Sequence, residues 1–397
     1  MRFLDLLVAA TAVSGVTIAP RQETANAYEE IENFTPEDDI ARLALAGLAN
    51  LTEFEETAVK SKAKRGGCSL LNVSIRRDWA HMFASERKAY ISSVQCLMAK
   101  PSKVDHTLYP GAKSRFDDFI VVHANYSRSI HGTGNFLTWH RYFTFVYEQA
   151  LKNECGYKGA QPYWNWGTWA HDPAKSPVFD GSDTSLGSDG SFVAHNGSVA
   201  GRGAIWVPSG KGGGCMKSGP FKNMANNMGP MQPTMDGVVA NPDGFYAYNP
   251  RCLKRDISPY ASSTWTTTPQ ITTLITTRGV KAFQDNINGD FANGNLGIHS
   301  AGHYTIGGDP GSDFYQSPGD PVFYLHHAMV DRTYWIHQNL NLPGSLTDLD
   351  GTLTVFNNPP SRETSLDDLL GMGPLAPELK IRDAMSSLGG PFCYIYL

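Results

Sequence analysis

Seven of the twelve histidines in this chain fall within two short blocks, and no other feature constrains the fold as strongly. The members of the two blocks are His123, His131 and His140, and then His299, His303, His326 and His327. Imidazole is a common ligand for copper and zinc, and helices build metal sites by presenting histidines in such blocks. Three nitrogen ligands from each block would complete a pair of three-coordinate metal sites.

The second block opens with two histidines that are four residues apart. On a helix, His299 and His303 project from one face, so both rings are able to bind the same ion. A zinc-protease motif of the HExxH type requires a glutamate after the first histidine, and this chain has Ser300 there. The pair is therefore a metal-binding motif that needs a third ligand from further along the chain.

The third ligand is expected in the segment DPVFYLHHAMVD, which has the features of a helix start. Asp320 is a suitable N-cap and Pro321 suits the first turn. His326 and His327 follow as neighbours, and adjacent side chains on a helix point about 100° apart. Only one of them is therefore expected to bind the metal, while the other packs beside it.

The first block combines helical and loop positions. His140 lies in the amphipathic segment Thr138–Lys152, and His123 ends an apolar helical run. His131 precedes Gly132, which suggests a loop. Neither block contains the Glu-x-x-His pattern of di-iron bundles, and six imidazoles without a carboxylate favour copper. Zinc remains the alternative for either triad taken alone.

Apolar spacing predicts a mainly α chain with long connections. The Gly-, Ser- and Asn-rich stretch 178–259 is expected to be mostly loop. We expect packing or solvated roles for His81, His106, His171, His195 and His337, and core packing for Trp164, Trp166 and Trp169. The helices are predicted over Asn72–Leu97, Asp117–His123, Thr138–Lys152, Thr268–Ala292 and Pro321–Leu340.

The N-terminal sequence predicts export. Residues 1–20 have the basic start, apolar run and small residues of a signal peptide, and residues 21–65 form an acidic extension or a removable pro-segment. Residues 66–397 are predicted to be the catalytic domain. Six cysteines permit disulfides outside the cell, and we favour Cys215 with Cys252 and Cys68 with Cys393 among the 15 pairings. Glycosylation sequons occur at Asn33, Asn50, Asn72, Asn125 and Asn196.

Several motifs are shared with one family. The sequence Trp139-His140-Arg141, the HSAGH pair, DPVFYLHH, Tyr163-Trp164-Asn165-Trp166 and the closing Tyr394-Ile395-Tyr396 resemble the type-3 copper proteins, which include tyrosinases, catechol oxidases and haemocyanins. The short, secreted fungal members are the most similar, over 76–396. The resemblance implies a mainly α fold with little β structure: a four-helix bundle carrying two copper ions, with O₂ as co-substrate. Many relatives also carry a C-terminal domain that shields the site, and we expect none in this chain, which stops one residue after Tyr396.

The resemblance also implies roles for individual residues. His123, His131 and His140 would bind the first copper, and His299, His303 and His327 the second. His326 would lie beside the second set, and Asp331 would pair with Arg76 or Arg77.

Substrate choice is expected to depend on residues around the second copper. By the same likeness, Asn288 occupies the position of a residue that holds a water in monophenol-hydroxylating relatives, and a neutral amide is a poor base. Ser300 and Tyr304 would line the entrance, and Phe314 would be the gate residue over the second copper. Ser129 and Ile130 leave no cysteine to form the thioether found in many fungal relatives.

These positions favour a secreted oxidase of o-diphenols. Alternatives are a tyrosinase, an oxidase of o-aminophenols or methoxyphenols, an O₂ carrier and a zinc hydrolase. The expected partners are small phenols and O₂. The formal net charge of −5, with scattered Lys and Arg, argues against a nucleic-acid surface, and no later apolar run is long enough to span a membrane. The sequence does not indicate an oligomeric state.

Overall fold

The helices that carry the two histidine blocks form the centre of the computed structural model, which describes residues 30–31, 33–60, 68–70 and 72–397. The helix that carries His140 contacts the helix that carries His123 and the helix that carries His326 and His327. The last of these also contacts the helix that carries His299 and His303. This arrangement confirms the predicted helical class. In chain order the helices are α1 (Asp39–Lys60), α2 (Ala84–Ala99), α3 (Arg115–Ile130), α4 (Phe136–Cys155), α5 (Pro259–Trp265), α6 (Thr268–Ile275), α7 (Gly279–Asn288), α8 (Gly297–Ile306), α9 (Val322–Leu340) and α10 (Ile381–Ala384).

Local sequence determines where the central helices begin and end. At the start of α3, Ser114 accepts the N–H of Asp117 and the Asp117 carboxylate accepts the N–H of Ser114. Helix α4 ends at Gly156, whose φ of 71° is readily adopted by glycine. The carboxylate of Asp320 accepts the N–H of Val322 at 2.9 Å, which confirms its predicted role at the start of α9.

Helix α9 is buried on all sides from Val322 to Asn339. One side is covered by α1, whose buried apolar residues are Ile40, Ala44, Leu48 and Leu51. The two helices approach closely at Gly47, where an added Cβ would lie 3.2 Å from the Cβ of Asn339. Part of the acidic segment 21–65 is therefore a helix packed on the core. Residues 61–65 at the end of this segment and the predicted signal peptide lie outside the described residues.

The β structure in the described residues consists of short two-stranded pairs. In one parallel pair, strand β1 (Ser74–Arg76) lies beside strand β10 (Tyr394–Tyr396), which places Arg76 opposite Tyr396. The helix predicted from Asn72 is therefore wrong at its start, because this long-range pairing outweighs local periodicity. The strands are β1 (Ser74–Arg76), β2 (Gly190–Phe192), β3 (Ser198–Ala200), β4 (Ile205–Val207), β5 (Gly213–Met216), β6 (Ala225–Asn226), β7 (Arg251–Cys252), β8 (Leu369–Leu370), β9 (Leu379–Lys380) and β10 (Tyr394–Tyr396).

The stretch 178–259 consists of loops and the short strands β2 to β7, as predicted. The helix predicted over Thr268–Ala292 is divided into α6 and α7. Gly279, with a φ of 76°, lies at this break, where a β-carbon would be strained.

Three disulfides join distant parts of the chain. Cys68–Cys393 and Cys215–Cys252 confirm the predicted pairings, and Cys96–Cys155 links the ends of α2 and α4. Across the described residues, no helix combines the length and apolar character that a membrane crossing requires.

Candidate metal centre

The three histidines of the first block meet in the core. His123 lies within α3, His131 directly follows α3 in a loop as predicted, and His140 lies in α4. Their ring centroids are 5.1 Å apart for His123 and His131, 4.9 Å for His131 and His140, and 5.8 Å for His123 and His140. The three side chains therefore form one compact group.

Each ring of the first block is held in place through its Nδ1 atom. The Nδ1 atoms of His123, His131 and His140 lie 2.8–2.9 Å from backbone carbonyl oxygens. Donation of Nδ1–H to a carbonyl leaves the Nε2 lone pair free for a metal. The carbonyl groups belong to Tyr315, Ser127 and Phe136.

In the second block, three Nε2 atoms converge. The Nε2 of His303 lies 3.1 Å from that of His299 and 3.3 Å from that of His327. His299 and His303 share one face of α8, and the Nδ1 of His303 lies 3.3 Å from the Gly311 carbonyl. These atoms are arranged as a second set of metal ligands would be.

His326 belongs to the same group of four histidines, but its ring contacts Gly302 of α8 and Trp166. Its ring stacks on His299 at 5.5 Å and packs on α8 at Gly302, where an added Cβ would lie 2.2 Å from the ring. Trp166 covers it from another side at 5.2 Å. Its neighbour His327 instead stacks on His140 of the first block, at 4.4 Å with an interplanar angle of 12°.

The two blocks face each other across the bundle. Besides the His140–His327 stack, the rings of His131 and His299 are 5.9 Å apart and nearly parallel. His131 and His299 are 7% exposed and His303 is half-buried, whereas His123, His140 and His327 are 1% exposed or less. Solvent therefore reaches the centre on the side of His131, His299 and His303.

Burial keeps these histidines neutral. Desolvation lowers the pKa of His131 to about 4 and, with a contribution from His131, that of His303 to about 3. Desolvation likewise lowers the pKa of His123, His140, His299, His326 and His327. A neutral imidazole is the form that binds a metal.

The donor set fits two copper ions. In the described part of the chain, the two groups with metal-site spacing contain histidine alone. The Nε2 atoms of His123 and His140 are buried and have no hydrogen-bond partner there. Such orphaned nitrogen atoms are costly unless something binds them. Imidazole suits copper, whereas magnesium prefers oxygen ligands and di-iron bundles include carboxylates.

Charged and hydroxyl-bearing side chains form a buried network around Asp331, next to the metal centre. Its carboxylate lies 2.6 Å from Arg141 and 3.3 Å from Arg76, and it accepts hydrogen bonds from Tyr394 and Tyr396. Burial alone would raise the pKa of Asp331, but Arg141 and Arg76 outweigh it and hold the pKa below its usual value. The predicted Arg76 pairing is confirmed. The role of Arg141, beside His140, was not predicted.

The residues predicted to control substrate access occupy different places. Half-buried Ser300 follows His299, and half-buried Asn288 ends α7 against the backbone of Gly297, the first residue of α8. Phe314 packs against His131 of the first block, with ring centroids 4.7 Å apart. Its place as a gate over the second copper stays a prediction.

Tyr304 does not line the entrance, and that prediction was wrong. Its side chain is buried in a small apolar cluster with Ile205 and Val207, and its hydroxyl donates to the carbonyl of Val199 at 3.0 Å. The aromatic ring is more stable in this cluster than in solvent, and the hydroxyl finds a partner there.

The other histidines have separate partners. His337 is buried with its Nδ1 near the carbonyl of Ile275, and His195 pairs with Asp256 at 3.1 Å. Trp164 and Trp166 are buried as expected, whereas Trp169 is half-buried and the prediction of core packing was wrong for it.

Comparison with known proteins agrees with this geometry. Residues 113–340 match the model of the common central domain of tyrosinase. The chain is 38% identical to Tyrosinase P of Aspergillus terreus over 328 residues, which cover 81% of this chain and 91% of the relative. It is 35% identical to the N-acetyl-6-hydroxytryptophan oxidase ivoB of Emericella nidulans over 83% of this chain and 93% of that protein.

A solved structure has the same fold. A mutant polyphenol oxidase from Thermothelomyces thermophila superposes with a TM-score of 0.86 at 38% identity, covering 91% of this chain and 99% of that one. The chain therefore belongs to the tyrosinase family. It is a tyrosinase-like copper oxidase, whose cofactor is a pair of copper ions and whose co-substrate is O₂.

Proposed function

We propose that this chain is an exported oxidase that converts o-diphenols to o-quinones with O₂. The observation that carries the proposal is the pair of facing histidine groups, His123, His131 and His140 opposite His299, His303 and His327. Each group supplies three nitrogen ligands to one copper ion. His326 stays outside both sets because its ring packs on α8 at Gly302 and not towards the first block.

The copper pair, when bound, supplies O₂ binding and accepts electrons from the phenol. The protein holds the imidazoles in fixed orientations through the Nδ1 contacts and keeps them neutral by burial. Each catechol loses two electrons and two protons as its o-quinone forms. Two catechols therefore reduce one O₂ to two molecules of water, with no other reductant.

The polar groups near the open side favour diphenols over monophenols. Asn288 and Ser300 are neutral, and no carboxylate belongs to either histidine group in the described residues. A monophenol must lose its proton to a base before it binds a metal, whereas these side chains are poor bases.

Export is part of the proposal. Residues 1–20 have the composition of a signal peptide, and the chain has three disulfides, which persist in oxidising compartments. Expression in a secreting host and N-terminal sequencing of the medium protein would test it. Retention of the protein in the cell with residue 1 intact would contradict export.

Metal analysis followed by oxygen-uptake assays tests the activity. We expect two copper ions per chain, oxidation of 4-methylcatechol without a lag, and little or no oxidation of 4-methylphenol. Equal rates on both phenols would show a tyrosinase. Reversible O₂ binding without quinone formation would show a carrier, and zinc in place of copper would contradict the assignment.

A second candidate substrate class is suggested by one relative. The protein from Emericella nidulans is named for oxidation of a hydroxylated tryptophan, and it is 35% identical over most of both chains. A hydroxyindole such as 6-hydroxyindole therefore belongs in the same panel. Faster turnover of the hydroxyindole than of the catechol would favour this class.

A further inference from the structure

Two phenylalanines outside the metal centre form an aromatic rim, defined here as Phe291 and Phe356. Their ring centroids are 6.4 Å apart with an interplanar angle of 77°, an edge-to-face arrangement. Phe356 is 61% exposed. Its ring is therefore available to a bound molecule.

The backbone of Phe356 has a strained conformation. Its φ and ψ are 50° and 35°, and Asn357 also has a positive φ of 54°. Residues other than glycine adopt this conformation rarely, and strained positions cluster at binding sites. The N–H of Phe356 donates to the carbonyl of Gly132 at 3.0 Å, which compensates part of the strain.

The aromatic rim lies beside the open side of the metal centre. The Phe356 ring covers Gly132, where an added Cβ would lie 2.9 Å from a ring carbon. Gly132 follows His131, the most accessible histidine of the first block. Phe291 lies just before α8, which carries His299 and His303, the accessible histidines of the second block. The rim therefore spans the two blocks where solvent reaches them.

The rim is continuous with a β-hairpin that rests on α8. Phe291 packs against Gly201, between strands β3 and β4, where an added Cβ would lie 2.7 Å from its ring. The segment 355–360 (VFNNPP) carries no charged side chain. An uncharged aromatic surface of this kind suits an apolar group and offers no counter-ion to a carboxylate.

We propose that the aromatic rim binds an aryl substituent of the phenolic substrate while the phenol ring itself enters the metal centre. This inference rests on the proposed oxidation of phenols and adds a substrate class, namely o-diphenols that carry an uncharged aromatic substituent. Phe356 is then a specificity-determining residue that contacts the substituent and not the reacting oxygen atoms.

The test measures binding separately from turnover. Resorcinol and 4-phenylresorcinol are meta-diphenols and cannot form an o-quinone, so their dissociation constants are obtained by calorimetry on the copper-loaded protein. We expect 4-phenylresorcinol to bind more tightly. In Phe356→Gly, this preference should fall roughly three- to tenfold, the value of one aromatic contact.

Two variants control for indirect effects. Phe356→Gly suits the positive φ and is expected to fold, and Phe356→Tyr keeps a ring and should keep the preference. Phe192→Ala removes an equally exposed phenyl group from β2 and should leave the preference unchanged. The proposal is overturned if the wild type shows no preference, if Phe356→Gly keeps it, or if Phe192→Ala loses it equally. Absence of catechol oxidation by the wild type would instead contradict the proposed function.

Discussion

The Nε atom of Arg141 lies 2.6 Å from a carboxylate oxygen of Asp331, deep in the core. Arg141 follows His140 in α4, and Asp331 lies one helical turn after His327 in α9. This ion pair therefore fixes the position of one histidine of each block relative to the other. Arg76 contacts the same carboxylate at 3.3 Å and also pairs with Glu148 at 2.6 Å, whereas Asp331 is the acidic partner of Arg141.

Asp331→Asn is expected to lower the free energy of unfolding by about 3–5 kcal/mol, because it leaves Arg141 buried without its counter-ion, while Arg76 keeps Glu148. Urea unfolding followed by circular dichroism measures the change. Asp285→Asn, in the exposed pair with Lys281, is the matched control and should stay within experimental error. Equal effects of the two substitutions would contradict the importance of this network.

Metal content distinguishes the two adjacent histidines of α9. His327→Gln should remove one copper ion per chain, because its ring faces both blocks. His326→Gln should keep both copper ions, because its ring packs on Gly302 and Trp166. Copper analysis after dialysis gives the answer for both variants. Loss of copper from His326→Gln with retention in His327→Gln would reverse the ligand assignment.

The copper-free protein is expected to lose stability as the pH falls below 6.5. Unfolded histidines take up protons near pH 6.5, whereas desolvation lowers the pKa of folded His131 to about 4. The unfolded state then binds more protons between these values, which costs about 2 kcal/mol at pH 5 for His131. Urea unfolding at pH 7.5 and pH 5 measures this difference. His131→Gln should reduce it, and equal stability at both pH values would contradict the prediction.

The free energy of unfolding of variants in α1 tests whether the acidic segment is removed from the mature protein. Leu48→Ala should lower the free energy of unfolding by about 2–5 kcal/mol, because Leu48 is buried against the core. The exposed residue Glu53 gives the control Glu53→Ala, for which little change is expected. If the segment is a pro-segment that leaves the mature protein, Leu48→Ala will not affect the stability of that mature form.

Local patterns were sufficient to predict much of the fold. Helices α4 and α9 were predicted because each carries apolar residues at helical spacing, and the loop position of His131 followed from the glycines after it. All seven histidines of the two blocks came together in two groups, as their spacing indicated. The sequence alone cannot show which nitrogen atoms bind copper, and metal analysis must decide that.

The failures arose from contacts that are distant in sequence. Strand β1 pairs with residues about 320 positions further along, so no local pattern identifies it. Tyr304 was placed at the entrance by its position after His303, but a pocket formed by β3 and β4 buries it. Phe356 is a lone aromatic residue in a polar loop, and only its backbone conformation and its contact with Gly132 single it out.

The pairing of β1 with β10 has a consequence for synthesis. Arg76 leaves the ribosome early, but its strand partner Tyr396 is made some 320 residues later. Until then, Asp331 also lacks the hydroxyl groups of Tyr394 and Tyr396. The network around Asp331 is thus completed only after translation of these residues. Its assembly therefore joins segments that are made some 320 residues apart.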